Sequence, residues 1–366
     1  MNPRIKIWTN IPNHYQAALF EAVRSEGADL QVAYYDRVPD SRVALGWARD
    51  QNLPRGEAFV EPSVDSLYLD PAWRECIHLV PGYGSRFTLT LAAKLSQEGT
   101  GWVHWSERSH PGLRSLLTQP VKRAYAEMVN RFALGAFAIG AGAFRDFGAW
   151  GIRREMIAIL PYSPTTATAV AADSQIQDFA NGRPVFLYLG TLNRRKGIDV
   201  LINAFASSPS TWALALVGND ASGGEYARLA RRLGVQDRVL FRGAMSPKSL
   251  GDAILAAKVV ILPSRFDGWG VTLNEGASLG RALIGSDACG ATEHLIVSGV
   301  NGFRVQAGSV GSLARALSAY SLEPELATNH GEASLEIFKA NSPEVNAKKM
   351  LSTLATWAAL SRSRQK

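Results

Sequence analysis

Short apolar runs alternate with amphipathic stretches along the chain, most regularly in its second half. Apolar runs of three to five residues between turn residues predict strands, and apolar positions recurring every three or four residues predict helices. The predicted strands are 185–189, 213–217, 239–241, 259–262 and 282–286, and the predicted helices between them are 199–206, 224–233, 247–256 and 272–279. This alternation predicts a parallel, doubly wound α/β sheet, whose ligands bind beyond the carboxyl ends of the strands.

The first half has the same character but a less regular pattern. Its predicted strands are 4–8, 30–35, 102–105, 136–139 and 156–160, with helices after residue 13 and from Pro120 to about Phe132. A Thr-, Ala-, Ser- and Asp-rich segment at 163–182 lacks periodicity, which is typical of a domain boundary. We therefore predict one domain over 1–163, a second over 164–345, and a C-terminal helix at 346–366 that returns to the first domain.

Composition and charge fit this picture. A chain of 366 residues with 46% hydrophobic and 19% charged residues is large enough for two well-packed cores. Cys76 and Cys289 lie far apart without metal-ligand spacing, which predicts free thiols in a reducing compartment. The apolar run at 133–144 is broken by glycines and too short to span a bilayer, so cytoplasmic residence is the expectation.

The net charge of +7 favours anionic partners such as nucleotide diphosphates, phospholipid headgroups or nucleic acid. The chain has no helix-turn-helix, zinc or aromatic-basic ribonucleoprotein signature, so we do not expect nucleic-acid binding. The basic C-terminal tail is interpreted as either a solvated helix face or a peripheral contact with an anionic membrane.

The first chemical signal is the loop after the strand at 185–189. It runs from Gly190 to Gly197 and contains Arg194, Arg195 and Lys196. Cationic side chains and backbone amides at such a place suit a pyrophosphate, although an ordinary strand-to-helix loop with solvated charges is the alternative.

The second signal joins the strand at 259–262 to the next helix. Asp267 lies in the loop and Glu275 in the helix, eight positions later, while the backbone at 268–271 is glycine-rich. Carboxylates accept paired hydrogen bonds from vicinal hydroxyls, so one acid could hold a sugar ring and the other a ribose. Alternatively, Asp267 caps the helix and Glu275 is an ordinary helical acid.

Together these loops resemble the family 4 retaining glycosyltransferases of the GT-B fold, or glycosyl transferases group 1, over about residues 185–306. Asp267 and Glu275 match the paired acids with seven residues between them, and Lys196 matches the lysine of the phosphate loop. Further matches are Val217-Gly218, Phe241-Arg242-Gly243, and Gly290-Ala291-Thr292-Glu293 with Asn301-Gly302. Two positions depart from the pattern: Thr191 stands where arginine is usual, and Asp267 where glutamate is usual.

The resemblance implies two Rossmann-like domains facing across a cleft, with the donor bound by the second. It implies transfer with retention of configuration from a nucleotide-diphosphate sugar, UDP- or GDP-linked, without a metal or other cofactor. Asp267 would orient the sugar, Glu275 would hold the ribose, and Lys196 with Arg194 or Arg195 would stabilise the diphosphate. The implied donor-binding set is Gly190, Arg194, Arg195, Lys196, Gly218, Arg242, Gly268, Trp269, Gly270, Val271 and Glu275.

The acceptor side is predicted in the first domain. Asn13 and His14 lie in the loop that replaces the glycine-rich loop of many relatives. A polar cluster with His104, Glu107 and Arg108 lies at the end of the strand at 102–105. We predict Glu107 and His104 as catalytic residues beside Asp267, and Arg108 with Asn13 and His14 as acceptor-side residues; a structural hydrogen-bond network is the alternative.

The predicted function is sugar transfer in the assembly of a bacterial surface polysaccharide or glycoconjugate, with a sugar or lipid-linked glycan as acceptor. Because a fold alone does not determine the reaction, a sugar-nucleotide epimerase or a phosphorylase on the same fold is the alternative.

Overall fold

The computed structural model describes residues 3–43, 53–110, 112, 117–164 and 167–364. The chain divides into two compact units. Unit 1 comprises Met1–Ser163 together with Pro343–Lys366, and unit 2 comprises Pro164–Ser342. Each unit is built on its own parallel sheet, so the predicted pair of doubly wound α/β sheets is confirmed.

Unit 1 contains a seven-stranded sheet in the order β3-β2-β1-β4-β5-β6-β7. Its strands are β1 (Arg4–Thr9), β2 (Asp29–Tyr34), β3 (Glu57–Phe59), β4 (Ile77–Val80), β5 (Trp102–Ser106), β6 (Gly135–Ala138) and β7 (Ile157–Ile159). The helices between them are α1 (His14–Ser25), α2 (Asp40–Val43), α3 (Arg86–Gln97), α4 (Gln119–Phe132) and α5 (Ala141–Trp150). Strands β4, β5 and β6 are almost wholly buried, as expected for parallel strands covered by helices on both faces.

Unit 2 contains a six-stranded sheet in the order β10-β9-β8-β11-β12-β13. Its strands are β8 (Val185–Leu189), β9 (Ala213–Val217), β10 (Val239–Gly243), β11 (Val259–Leu262), β12 (Ala282–Ser286) and β13 (Gly302–Val305). Its helices are α6 (Ser174–Ala180), α7 (Ile198–Ser207), α8 (Glu225–Arg232), α9 (Leu250–Leu255), α10 (Thr272–Ser278), α11 (Gly290–Leu295), α12 (Val310–Leu322) and α13 (Glu325–Lys339). All described strand pairs are parallel in both sheets.

The last helix, α14 (Pro343–Arg364), belongs to unit 1 and packs on α1. Its Trp357 lies against β6: a Cβ atom added to Gly135 would come within 2.6 Å of the Trp357 ring. The same ring packs on Phe137, with 4.9 Å between the ring centroids. The C-terminal helix therefore completes the core of unit 1. None of the described helices combines the length and apolar character needed to cross a bilayer.

The strand order reverses once in each sheet, between β1 and β4 in unit 1 and between β8 and β11 in unit 2. At such a reversal the loops after the two neighbouring strands diverge to opposite faces and leave a crevice at the carboxyl edge. In unit 2 this places the loop after β8 beside the loop after β11, and these loops carry the two chemical signals of the sequence.

Candidate functional site

The β8–α7 loop, residues 190–197, is held in shape by close backbone packing. Gly197 has φ +74°, and a Cβ atom there would lie 2.2 Å from the carbonyl oxygen of Pro263. The Tyr188 hydroxyl donates to the Thr191 carbonyl oxygen at 2.9 Å. Only glycine satisfies both the left-handed backbone and the contact at position 197, so the loop enters α7 directly against the end of β11.

The β11–α10 loop, residues 263–271, is hydrogen-bonded to the β8–α7 loop. The Arg265 amide donates to the Arg195 carbonyl oxygen at 2.8 Å, and the Arg195 guanidinium donates to the Phe266 carbonyl oxygen at 2.9 Å. Arg265 also pairs with Asp199 at 2.6 and 2.7 Å. These bonds fix the two loops relative to each other within unit 2.

The central pair of the site is Lys196 and Asp267. The Lys196 ammonium lies 2.5 Å from a carboxylate oxygen of Asp267, and their side chains are 17% and 15% exposed. The amide of Lys196 donates to the Asn193 side chain at 3.0 Å, which orients the residue within the loop. A cation and an anion held together at a partly open edge can bind a ligand that carries both anionic oxygens and hydroxyl groups.

The loop beyond Asp267 combines a buried aromatic side chain with accessible backbone. Trp269 is 2% exposed, and its indole nitrogen donates to the Asn274 side chain at 2.8 Å. The side chain of Trp269 therefore shapes the loop from inside. Gly268, Gly270 and Val271 are partly exposed neighbours of Asp267. Glu275 lies in the first turn of α10 and is half-buried.

The loops after β9 and β10 supply the remaining residues of the predicted donor set. Gly218 packs so closely on the first loop that a Cβ atom there would lie 1.9 Å from the Gly190 carbonyl oxygen. Arg242, at the end of β10, pairs with Asp173 at 3.1 and 3.2 Å. Burial alone would raise the pKa of Asp173, but the hydrogen bonds and charge of Arg242 hold it below its ordinary value.

Arg242 also lines a pocket of about 530 Å³ formed by residues 171–174 and 244–246 with Ser249 and Asp252. In the sheet, β9 separates β10 from β8. The loops that follow the neighbouring strands β8 and β11 thus carry one group of predicted residues, whereas Arg242 lies on the edge strand β10. The group consists of Gly190, Arg194, Arg195, Lys196, Asp267 and the 268–271 backbone.

In unit 1, the structure places His104, predicted as a catalytic residue, in the interior of the unit. The side chain is completely buried, and its two ring nitrogens lie 3.1 Å from the Tyr125 hydroxyl and 3.0 Å from the Ser106 hydroxyl. Its ring also packs on Phe147, with centroids 4.5 Å apart. Burial lowers the pKa of His104 to about 3, so it stays neutral. His104 is part of the core network that the sequence left as the alternative.

Glu107 lies just beyond β5 at a partly open position, with Tyr162 as a neighbour that the sequence did not suggest. Tyr162 is hydrogen-bonded to Glu107, and its ring meets that of Tyr15 edge-to-face at 5.1 Å. Burial, and then the charge of Glu107, raise the pKa of Tyr162 well above its ordinary value. The sequence offered one signal for this contact: Tyr162 follows the predicted strand 156–160 by two residues. Side chains just beyond the carboxyl ends of parallel strands lie at the same edge of the sheet, which is where Glu107 also lies.

Two other predicted acceptor-side residues, Asn13 and Arg108, make local contacts within unit 1. Asn13 caps α1, with its side-chain oxygen accepting from the Gln16 amide at 2.8 Å. The aliphatic part of Arg108 lies against Gly142 at the start of α5. The side chain of His14 lies outside the described part of the chain. Within the described residues, no group of three or more His, Cys, Asp or Glu side chains is arranged to hold a metal ion.

Comparison with known proteins finds a family that unit 2 resembles. Residues 170–336 match the family described as glycosyl transferases group 1. A lipopolysaccharide core biosynthesis mannosyltransferase, LpcC, of Rhizobium leguminosarum bv. viciae is 31% identical over 170 residues, 44% of this chain and 47% of the relative. A lipopolysaccharide 1,6-galactosyltransferase of Salmonella typhimurium is 28% identical over 205 residues, 54% of this chain and 55% of the relative. The match thus spans about half the length of these curated relatives.

Solved structures resemble almost the whole chain. The crystal structure of Anabaena HepE in complex with UDP covers 97% of this chain and 100% of its own, with a TM-score of 0.73 and 18% identity. The apo form of the lipopolysaccharide outer core galactosyltransferase WaaB covers 96% and 99%, with a TM-score of 0.72 and 18% identity. At this identity the likeness concerns the fold. Residues 170–336 thus resemble the glycosyl transferases group 1 family, and the two parallel-sheet units have the GT-B fold.

Proposed function

We propose that this protein is a retaining, metal-independent glycosyltransferase of family 4 that moves a sugar from a nucleotide-diphosphate sugar, UDP- or GDP-linked, to an acceptor. The observation that carries the proposal is the Lys196–Asp267 pair at the reversal of strand order between β8 and β11. A pyrophosphate needs cations and backbone amides, a sugar ring needs a carboxylate, and this edge of the sheet offers both.

In the proposed mechanism, Lys196 stabilises the negative charge that develops on the leaving diphosphate. Electrostatic stabilisation of this kind can supply the largest share of a rate enhancement. Asp267 orients the transferred sugar through its hydroxyl groups, and Glu275 holds the ribose. Binding of the diphosphate replaces the contact between Lys196 and Asp267, so the donor itself releases the carboxylate for the sugar.

Thr191 stands where the family usually has an arginine, so another residue must supply the second cation to the diphosphate. We assign this role to Arg194. The guanidinium of Arg195 already donates to the Phe266 carbonyl oxygen at 2.9 Å. For Arg194 it is the carbonyl oxygen that is tied to Arg265, at 2.7 Å, while the residue is exposed at the loop surface. Arg195 is exposed as well, so the bond from Arg195 to Phe266 is what makes Arg194 the first candidate for the second cation.

Unit 1 is proposed to bind the acceptor, with Glu107 as its catalytic residue. The lipopolysaccharide enzymes among the relatives favour an acceptor from bacterial surface-glycan assembly, a sugar or a lipid-linked glycan. HepE was crystallised with UDP and glucose, which favours UDP over GDP as the first donor nucleotide to test. We propose that the enzyme acts in the cytoplasm, and at the inner face of the cytoplasmic membrane when its acceptor is lipid-linked.

Nucleotide binding tests the donor half of the proposal. We expect calorimetry and thermal shift with UDP, GDP, ADP and dTDP to detect saturable binding of one diphosphate by the wild type. Lys196→Ala and Glu275→Ala should each weaken it by about tenfold or more, as for the loss of a charge-assisted hydrogen bond. Lys339→Ala is the matched control, because Lys339 pairs with Glu336 on an exposed helix face.

A folded wild-type protein that binds none of the four nucleotides would overturn the proposed donor site. Consumption of the sugar nucleotide in the absence of any acceptor would instead favour an epimerase, and phosphate-dependent cleavage of a glycan would favour a phosphorylase.

A further inference from the structure

Arg265 occupies the junction between the two loops of the candidate donor site. Its guanidinium forms two hydrogen bonds with Asp199, at 2.6 and 2.7 Å, and a third with the Arg194 carbonyl oxygen at 2.7 Å. Its amide donates to the Arg195 carbonyl oxygen at 2.8 Å. One residue of the β11–α10 loop therefore holds two consecutive carbonyl groups of the β8–α7 loop.

The charge of Arg265 is neutralised by its partner. Asp199 lies in the first turn of α7, where a carboxylate is also favoured by the helix dipole. Burial alone would raise the pKa of Asp199, but the hydrogen bonds and charge of Arg265 lower it; in turn, the hydrogen bond to Asp199 raises the pKa of Arg265. Both groups stay ionised, and the forked geometry leaves Arg265 a structural donor to backbone carbonyls and not a ligand for phosphate.

We propose that Arg265, aligned by Asp199, is a positioning residue for diphosphate binding. This inference rests on the proposed function and adds to it the residue that orients the cations. With the carbonyl groups of Arg194 and Arg195 turned toward Arg265, the peptide planes of the β8–α7 loop are fixed, and so is the direction in which Arg194 and Lys196 leave the backbone. Because Thr191 provides no cation, diphosphate binding depends on this orientation.

The geometry requires an arginine. A lysine keeps the positive charge, but its compact ammonium cannot span both carboxylate oxygens and the Arg194 carbonyl oxygen in the planar arrangement observed. Arg265→Lys therefore keeps the positive charge but loses the hydrogen bonds that hold the β8–α7 loop. The variant thus separates the effect of the charge from the effect of loop position.

The experiment compares wild type with Arg265→Lys, Asp199→Asn and the double variant. Arg183→Lys is the matched control, because Arg183 also donates to carbonyl groups, of Phe179 and Ala180, but lies before β8 at the opposite edge of the sheet. Calorimetry gives the affinities for UDP and UMP, and for GDP and GMP if the guanine nucleotides bind. Amide hydrogen exchange of residues 190–197 is measured without ligand.

We expect the preference for diphosphate over monophosphate to fall about tenfold in Arg265→Lys, since a displaced contact of about 1 Å is costly in a positioned site. Amide exchange in residues 190–197 should be faster. The double variant should bind the diphosphate no more weakly than Arg265→Lys does, because the two residues act as one unit. A loss of fold stability alone would reduce the affinities for diphosphate and monophosphate by the same factor and leave the preference unchanged. The control Arg183→Lys should likewise leave the preference unchanged.

An unchanged diphosphate preference with unchanged exchange would overturn the positioning role while leaving the donor site intact. Failure of the wild type to bind any diphosphate would overturn the proposed function, and with it the diphosphate role of Arg265. Faster exchange without a change in preference would also count against the proposal, because loop order would then not control the cations.

Discussion

Two buried histidines of unit 1 are neutral in the folded protein. Burial lowers the pKa of His104 to about 3 and that of His78 to about 4. His78 accepts from the Trp8 indole at 3.1 Å, and its other nitrogen contacts the Trp73 carbonyl oxygen at 2.8 Å. Protonating either ring would place a charge among aromatic side chains, so both act as uncharged members of the core.

This burial predicts acid sensitivity of unit 1. In the unfolded chain a histidine takes up its proton near pH 6.5, whereas folded His104 does not until about pH 3. The stabilising contribution is therefore complete above pH 6.5 and is lost as the pH falls below it, by about 1.4 kcal/mol per pH unit for each such histidine. We expect His104→Gln to be less stable at pH 7 but to show a shallower decline in denaturant-measured unfolding free energy between pH 6 and 4. An equally steep decline would mean that His104 titrates in the folded state.

At the scale of single residues, the sequence predicts functional pairs only when they share a local motif. The separation of Asp267 and Glu275 and the basic loop with Lys196 are visible along the chain. The pairing of Arg265 with Asp199, 66 residues apart, is not, because it depends on the strand order of the sheet. The burial of His104 was not predictable, because a histidine in a polar stretch looks the same in sequence whether its ring turns inward or outward.

At the scale of the element, the start of α7 depends on one glycine. Gly197→Ala places a methyl group 2.2 Å from the Pro263 carbonyl oxygen in addition to straining φ, so the β8–α7 loop must move away from β11. We expect loss of nucleotide binding and destabilisation by more than the about 1–2 kcal/mol of a left-handed alanine. Gly234→Ala has a similar φ of +67° and no neighbour within 4 Å, and should show only the backbone cost in thermal unfolding. Similar effects of the two substitutions would show that the loop can rearrange freely.

Strands were predictable where a mostly apolar run is not interrupted by a polar residue. The predicted bounds of β8, β9, β11 and β12 agree with the structure because each strand is buried along its whole length and consists mostly of apolar residues. The edge strand β3 has only three residues, which are exposed or half-buried, and His78 interrupts the apolar run of β4, so neither strand was predicted. The expected helix at 247–256 is a 3₁₀ turn, Pro247–Ser249, followed by α9.

At the scale of the whole molecule, each unit has its own core, and Trp357 connects the end of the chain to the first of them. We expect Trp357→Ala to cost about 3–5 kcal/mol, the range for truncation of a buried aromatic residue. Amide exchange should quicken in β6 and stay unchanged in β8. Trp212→Ala is the matched control, because Trp212 stacks on Phe186 of β8 at 4.4 Å and should reverse the pattern. Faster exchange in both strands from either substitution would show that the two cores unfold together.

The division of the molecule coincides with a change in composition along the chain. The unpatterned segment at 163–182 precedes the regular alternation of unit 2, and the structure divides the chain after Ser163. The return of the chain to unit 1 falls at Ser342, three residues before the predicted position, because helix α14 begins at Pro343, a residue well suited to a first helical turn.

The return of α14 to unit 1 has a consequence for biosynthesis on the ribosome. Domains usually fold in the order in which they are translated. Here all the strands of unit 1 emerge first, but the tryptophan that covers β6 is translated only after the whole of unit 2. The nascent protein must therefore carry an incomplete first half, with the apolar surface around Phe137 uncovered, until α14 has been translated. A premature stop codon in α14 would leave the second half whole and turn the first half into a substrate for chaperones and proteases.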